Sequence, residues 1–306
     1  MKRWFYIFVG GLLLFSLISI SCQPTGNVSP GKKSIVVTYS ILGSVVKDLV
    51  GDKANVIVSI PNGQDPHDWE PSAKDIEIIN KADLVVRNGL GLEGGLEKTL
   101  AIAENNGVKF FTASDHITVR HVGAEEGIPS GDPDQAIGAA DPHLWMDPLT
   151  LKSVVSALAD ELKKSLNMDV TGQTADLGNR LDNLNKQVTD TVAVIPVIDR
   201  KLVTGHESMG YFAQRYEFKL VGVIIPSLTS QAEVSASELA ALKKTIQDNQ
   251  VKAIFTELGT SPAVAETIGK ETGVKVIELT THALPTDGSY FTFMNNLAKV
   301  ITGGLK

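Results

Sequence analysis

From residue 34 onward, short β-branched runs alternate with longer stretches whose apolar residues recur every three or four positions. Ser34–Thr38, Ala54–Ile60, Asp83–Arg87 and Val108–Thr112 read as strands, and the rhythm returns at Lys201–Thr204, Lys219–Ile225, Ala253–Thr256 and Lys275–Leu279. Strands that are apolar on successive positions must be covered on both faces. The alternation therefore predicts an α/β protein with parallel sheets and helices on either side. Between the two strand sets lies Thr171–Val194, where Leu177, Leu181, Leu184, Val188 and Val192 form one apolar stripe among polar residues. A single long amphipathic helix there predicts two Rossmann-like lobes, residues 34–168 and 197–306, joined by a rigid linker helix over 169–196.

Ahead of the first strand, Lys2 and Arg3 precede an apolar run from Trp4 to Ile20 that ends in Ser21 and Cys22, the pattern of an export signal over 1–21. Roughly 17 apolar residues is the short limit for spanning a bilayer, which favours cleavage over a permanent span. The end of the run resembles the lipobox of bacterial lipoproteins, with Ser19 where leucine is usual. That resemblance implies a lipid on Cys22 and an extracytoplasmic protein held at the membrane. Residues 22–33, rich in Pro, Gly and Ser, read as a flexible tether. Cys22 is the one cysteine of the chain, so an exported domain here has no disulfide and depends on a large core. The net charge of −7 becomes −9 when Lys2 and Arg3 leave with the signal, which disfavours nucleic acid as a partner.

Four of the six histidines sit where a parallel α/β fold gathers ligands, outside the carboxyl ends of strands. His67 follows the strand ending at Ile60, His206 follows Leu202-Val203-Thr204-Gly205, and His282 follows the run through Leu279. His143 lies in Asp141-Pro142-His143, a turn opening into a helix. Two rings come from each lobe, so a candidate metal site falls between them.

At these residues the chain resembles a known family. The segments GQDPHDWEPSAKD, NGLGLEGGLEK, DPHLWMDP, TGHESMGYFAQRYEF and IFTELGTSPAVAETI are similar to signature segments of the zinc and manganese solute-binding lipoproteins of ABC importers, cluster A-I. The resemblance implies two α/β lobes on a rigid helix, a metal ion held between them and delivered to a membrane permease, a monomer and no enzymatic activity. His67, His143 and His206 fall on the family's first three ligand positions. The fourth is commonly aspartate, and here it is His282. Four imidazoles suit tetrahedral Zn²⁺, whereas Mn²⁺ prefers oxygen ligands and a higher coordination number. Asp68, Asp147, Glu207 and Glu257 are candidates to hold the second ring nitrogens, and Glu257 is also an alternative direct ligand to His282. Protonation near pH 6.5 is expected to weaken the site. Release is expected to need a small movement of the His206 and His282 loops of the second lobe.

The remaining histidines, His116 and His121, stand just before an acidic segment, Gly123–Ala140, which reads as a mobile surface loop rather than a metal-collecting arm. Two motifs point elsewhere and fail on context. Gly89-Leu90-Gly91-Leu92-Glu93-Gly94 matches a dinucleotide fingerprint, yet NAD is a cytoplasmic cofactor. Gly205-His206-Glu207-Ser208-Met209-Gly210 approaches a nucleophile elbow, but His206 stands where that motif needs glycine. Trp69 and Trp145 are expected to pack the lobe interface, and Tyr211 and Phe212 to be core.

Overall fold

The computed structural model describes residues 31–123, 126 and 137–306. The signal, Cys22, nearly all of the tether and most of the acidic segment lie outside the described residues.

Ile35, Val36 and Val37 are fully buried on both faces, as befits a strand at the centre of a sheet. β1 (Lys33–Tyr39) is flanked by β2 (Ala54–Ile60) on one side and β3 (Leu84–Arg87) on the other, and β4 (Phe110–Thr112) completes a four-stranded sheet of order β2-β1-β3-β4. All three ladders are parallel. Because the chain changes sides at β1, the loops after β1 and β3 diverge at their carboxyl ends and leave a crevice there. β4 begins two residues later than Val108.

The second half carries its strands in two pairs. β5 (Lys201–Thr204) pairs with β6 (Lys219–Val223), and β7 (Ala253–Thr256) with β8 (Lys275–Glu278), in two separate parallel ladders. β5 and β7 nonetheless lie side by side. Strand alternation divides their side chains between two cores: Leu202 and Phe255 join the large apolar cluster, whereas Val203 and Ile254 join a smaller one with Ile246 and Ile268. β6 ends at Val223 rather than Ile225, although the amides of Ile224 and Ile225 still donate to the carbonyls of Thr204 and Gly205.

The linker helix α5 spans Thr171–Val192, two residues short of the expected Val194. Its stripe of Leu177, Leu181, Leu184, Val188 and Val192 is buried against α4 (Pro148–Leu166) and the C-terminal helix α9 (Tyr290–Leu305). α9 also touches α1 (Ser40–Val50). The chain's last helix thus returns to the linker and to the first half, and the large cluster holds residues from Ile35 to Leu305 in one continuous core. Trp145, fully buried, sits in that core, while Trp69 packs against its edge. Tyr211 and Phe212 are core residues, as expected.

A linker built into the shared core has a testable consequence. Leu181→Ala, at a fully buried position, is expected to cost about 2–5 kcal/mol of stability, read as a lower urea midpoint for a single cooperative transition. A cost below about 1 kcal/mol, or a transition split in two, would show that the helix is not part of one core.

Candidate metal centre

Each of the four histidines is delivered by a turn with its own internal support. After β2, the Asp65 carboxylate accepts from the His67 amide (3.0 Å) while its carbonyl accepts from the amides of Asp68 and Trp69. Gly94 and Gly95 close over this turn: a Cβ on Gly94 would stand 2.8 Å from the His67 carbonyl oxygen, and one on Gly95 2.3 Å from that of Trp69. Of the dinucleotide-like glycines, Gly94 therefore serves close backbone packing. Glu93, buried among them, accepts from Thr38 Oγ1 (2.7 Å) and from the amides of Asn88 (2.6 Å) and Gly89 (3.3 Å). Asn88 in turn donates to the Pro142 carbonyl (2.8 Å), which fixes the turn carrying His143.

The rings converge. Nε2 of His143 lies 3.4 Å from Nε2 of His67 and 3.2 Å from Nε2 of His206. One nitrogen from each of His67, His143, His206 and His282 falls within 4.8 Å of the others. The partners behind the rings show which nitrogen is free. His143 Nδ1 is 2.9 Å from Asp141 Oδ1; a carboxylate only accepts, so Nδ1 carries the proton and Nε2 presents its lone pair. At His282, Thr281 Oγ1 spends its one proton on Glu257 Oε2 (2.5 Å), so its 2.8 Å contact to His282 Nδ1 must be received from the ring. His282 Nε2 is then a buried acceptor with no partner. His206 Nδ1 lies 3.3 Å from Glu257 Oε1, an ion-pair distance without hydrogen-bond alignment, while Oε1 accepts from the His206 amide at 2.9 Å. Three rings are thus turned with Nε2 inward, the arrangement an ion needs.

Burial, reinforced by the charge of His206, holds the His67 imidazole down at about 4 and pushes His143 and His282 well below their ordinary value. Burial pulls His206 the same way, but the Glu257, Asp65 and Asp141 carboxylates outweigh it and raise its pKa. Burial would raise Glu257; His206, His282 and the Ser208 hydroxyl hold it well below the usual carboxylate range. Asp141 is pushed up to about 6 by burial, against the pull of Arg120, whose guanidinium bonds its other oxygen at 2.9 Å.

Of the four acids expected behind the rings, one is there. Glu257 faces His206, but Asp147 caps α4 and pairs with Arg215, and Asp68 and Glu207 partner no ring nitrogen among the described residues. Glu207 is buried with one oxygen unpartnered, and burial pushes its pKa well up. Asp141 and Thr281 do the work instead. Each lies within two residues of its histidine, and the Asp-x-His spacing is the signal that was available. Both oxygens of Glu257 are committed as acceptors, one to the His206 amide and the other to Ser208 (2.7 Å) and Thr281, which argues against its serving as a ligand. Ser208, fully buried with its proton on a carboxylate, is no nucleophile. His116 stacks on Phe111 and His121 bridges to Ala140, both apart from the cluster.

The His282 loop is also bonded across to the first half of the chain. Asn62 bonds both the amide (2.7 Å) and the carbonyl (2.9 Å) of Leu284, Ser44 bonds the Gly288 carbonyl, and Trp145 Nε1 donates to the Thr281 carbonyl (3.0 Å). These bonds tie the His282 loop to the first half of the chain, while β8 before it pairs with β7 and Thr281 bonds Glu257 beside His206.

Two α/β halves on a helical spine, with inward-facing imidazoles at the carboxyl ends of their strands, define a metal-binding solute-binding protein. The chain belongs to the family described as zinc-uptake complex component A, periplasmic, whose model matches residues 35–304. Members are substrate-binding proteins of metal ABC importers, extracytoplasmic and not enzymes. The chain is 27% identical to the manganese-binding lipoprotein MntA of Halalkalibacterium halodurans, covering 100% of this chain and 99% of that one. It is 29% identical to the zinc-binding lipoprotein AdcA of Streptococcus pneumoniae serotype 4, over 86% of this chain and 53% of that longer protein. The periplasmic zinc-binding protein TroA of Treponema pallidum superposes with a TM-score of 0.76 at 25% identity, covering 90% of this chain and 99% of that one. Among the described residues, no helix is long and apolar enough to cross a membrane.

The metal-free site should titrate unevenly. By nitrogen-detected NMR of the imidazoles, His206 is expected to titrate above pH 6.5 and His67 to stay neutral until about pH 4. The signs differ in stability. The His206 contribution is present below the unfolded value of about 6.5 and is lost as pH rises through its raised folded value. Those of His67, His143 and His282 are present above that value and are lost as pH falls below it. Four rings titrating together near 6.5 would contradict the tautomers and charges assigned here.

Proposed function

We propose that the protein captures Zn²⁺ in a four-imidazole site formed by His67, His143, His206 and His282 and delivers it to an ABC permease. The observation that carries this reading is the set of converging ring nitrogens with no carboxylate among them. A tetrahedron with Zn–N of about 2.0–2.1 Å has ligand-to-ligand edges of about 3.3–3.4 Å. The Nε2 separations of 3.2 and 3.4 Å are close to those edges. Four protein ligands leave no open position for a reacting water, which suits binding and not hydrolysis. The ion's charge is answered from behind the rings by Glu257 and by Asp141.

In this reading Cys22 carries the lipid that holds the protein at the membrane, the tether over 22–33 frees the domain, and the protein works as a monomer. Release then begins at His206. Its ring is carried by β5, while the His282 loop is bonded to the first half through Asn62 and Trp145. The opposing reading, manganese supply, draws support from the likeness to MntA.

The chain lacking residues 1–22, equilibrated with equal Zn²⁺ and Mn²⁺ at neutral pH, is expected to hold one zinc per chain by elemental analysis. His282→Ala should weaken zinc binding by more than the 10–100-fold typical of outer-shell changes. Predominant manganese would favour the opposing reading, and an indifferent His282→Ala would remove that residue from the shell.

A further inference from the structure

We infer that Ser208 and Thr281 set the metal preference of this site by holding the Glu257 carboxylate out of the ion's coordination shell. The inference rests on the zinc reading above and concerns why the shell stays all nitrogen. Glu257 stands directly after β7, its side chain buried, beside His206 and in contact with the threonine that supports His282. A free carboxylate at that place would be an oxygen ligand in waiting, and oxygen is what Mn²⁺ seeks. It is not free. Ser208 Oγ donates to Oε2 at 2.7 Å and Thr281 Oγ1 to the same oxygen at 2.5 Å, while the His206 amide donates to Oε1 at 2.9 Å. Hydrogen bonds to an ionised acceptor are the strong kind, and three of them from two directions fix the carboxylate's orientation.

The fold reserves space for this arrangement. A Cβ on Gly205 would stand 2.1 Å from Thr260 Oγ1 and 2.5 Å from Glu257 Cγ, so the residue before His206 must be small for the carboxylate to occupy its slot. The Ser208 hydroxyl, fully buried, has Glu257 as its hydrogen-bond partner. Thr281 links the two metal-facing rings of the second half: it receives the proton of His282 Nδ1 and passes its own to Glu257. Removing either hydroxyl leaves Oε2 short of a donor in a buried site, and a cation held by the neighbouring rings is the strongest available replacement. The carboxylate then turns from counter-charge to ligand, and the site gains the oxygen that a five- or six-coordinate ion accepts.

The test compares Zn²⁺ and Mn²⁺ affinities of the full chain by metal-buffered titration, with Co²⁺ absorption as a gauge of coordination number. Ser208→Ala and Thr281→Val are each expected to raise the manganese-to-zinc affinity ratio by about tenfold or more. The intense tetrahedral Co²⁺ bands should weaken as a further ligand enters. Ser208→Thr, which keeps the hydroxyl, should retain the original ratio, and Ser208→Ala combined with Glu257→Gln should lose the gain. An unchanged ratio with tetrahedral Co²⁺ in a folded Ser208→Ala or Thr281→Val variant overturns the inference, as does a gain that survives Glu257→Gln. Failure of the zinc reading shows separately, as an unmodified chain that already prefers manganese or binds Co²⁺ with more than four ligands.

Discussion

Buried imidazole lone pairs facing one another repel unless a cation lies among them, and the rest of this structure is arranged around that constraint. Inside the cluster only the contacts of His143 with His206 and His67 join the rings directly, so their orientation depends on groups behind them. Asp141 fixes His143, Thr281 fixes His282, and Glu257 orients His206 through its amide and its charge. Without these partners the rings would rotate to donate to one another, and the inward lone pairs would be lost. Burial serves the same end, because it penalises protonation of three of the four rings and keeps them available to an ion.

The supports are themselves anchored in the two halves, and this is where fold and site meet. Asp141 is held by Arg120, which also pairs with Glu126. The His143 turn hangs from Asn88, the His67 turn is packed beneath Gly94 and Gly95, and the Glu257 slot exists because residue 205 has no side chain. The first half and α9 share one apolar core with the linker helix, so His67, His143 and the His282 loop stand on a common base. His206 and Glu257 stand on β5 and β7, whose outer faces rest on a smaller core of their own.

Much of this was legible in the sequence. The strand runs, the linker stripe and all four histidines could be read directly, because period and strand-end position are local properties. The split of the second sheet and the return of α9 to the linker could not, since they depend on which faces meet in space. Proximity along the chain points to Asp68, Asp147 and Glu207 and passes over Asp141, whereas Glu257 is far in sequence from every ring it could support. Asp147 illustrates why: like Asp141 it stands directly before a proline, yet its side chain caps α4 and pairs with Arg215. The bond between Asn62 and Leu284, residues far apart in the chain, left no local trace at all, and it ties the His282 loop across to the first half.

The central claim is that four imidazoles and no carboxylate surround the ion. X-ray absorption at the zinc edge of the metal-loaded protein tests it most directly. The account predicts four nitrogen ligands at about 2.0–2.1 Å, with outer-shell scattering from four imidazole rings. A fifth, oxygen ligand, or scattering from three rings or fewer, would contradict it.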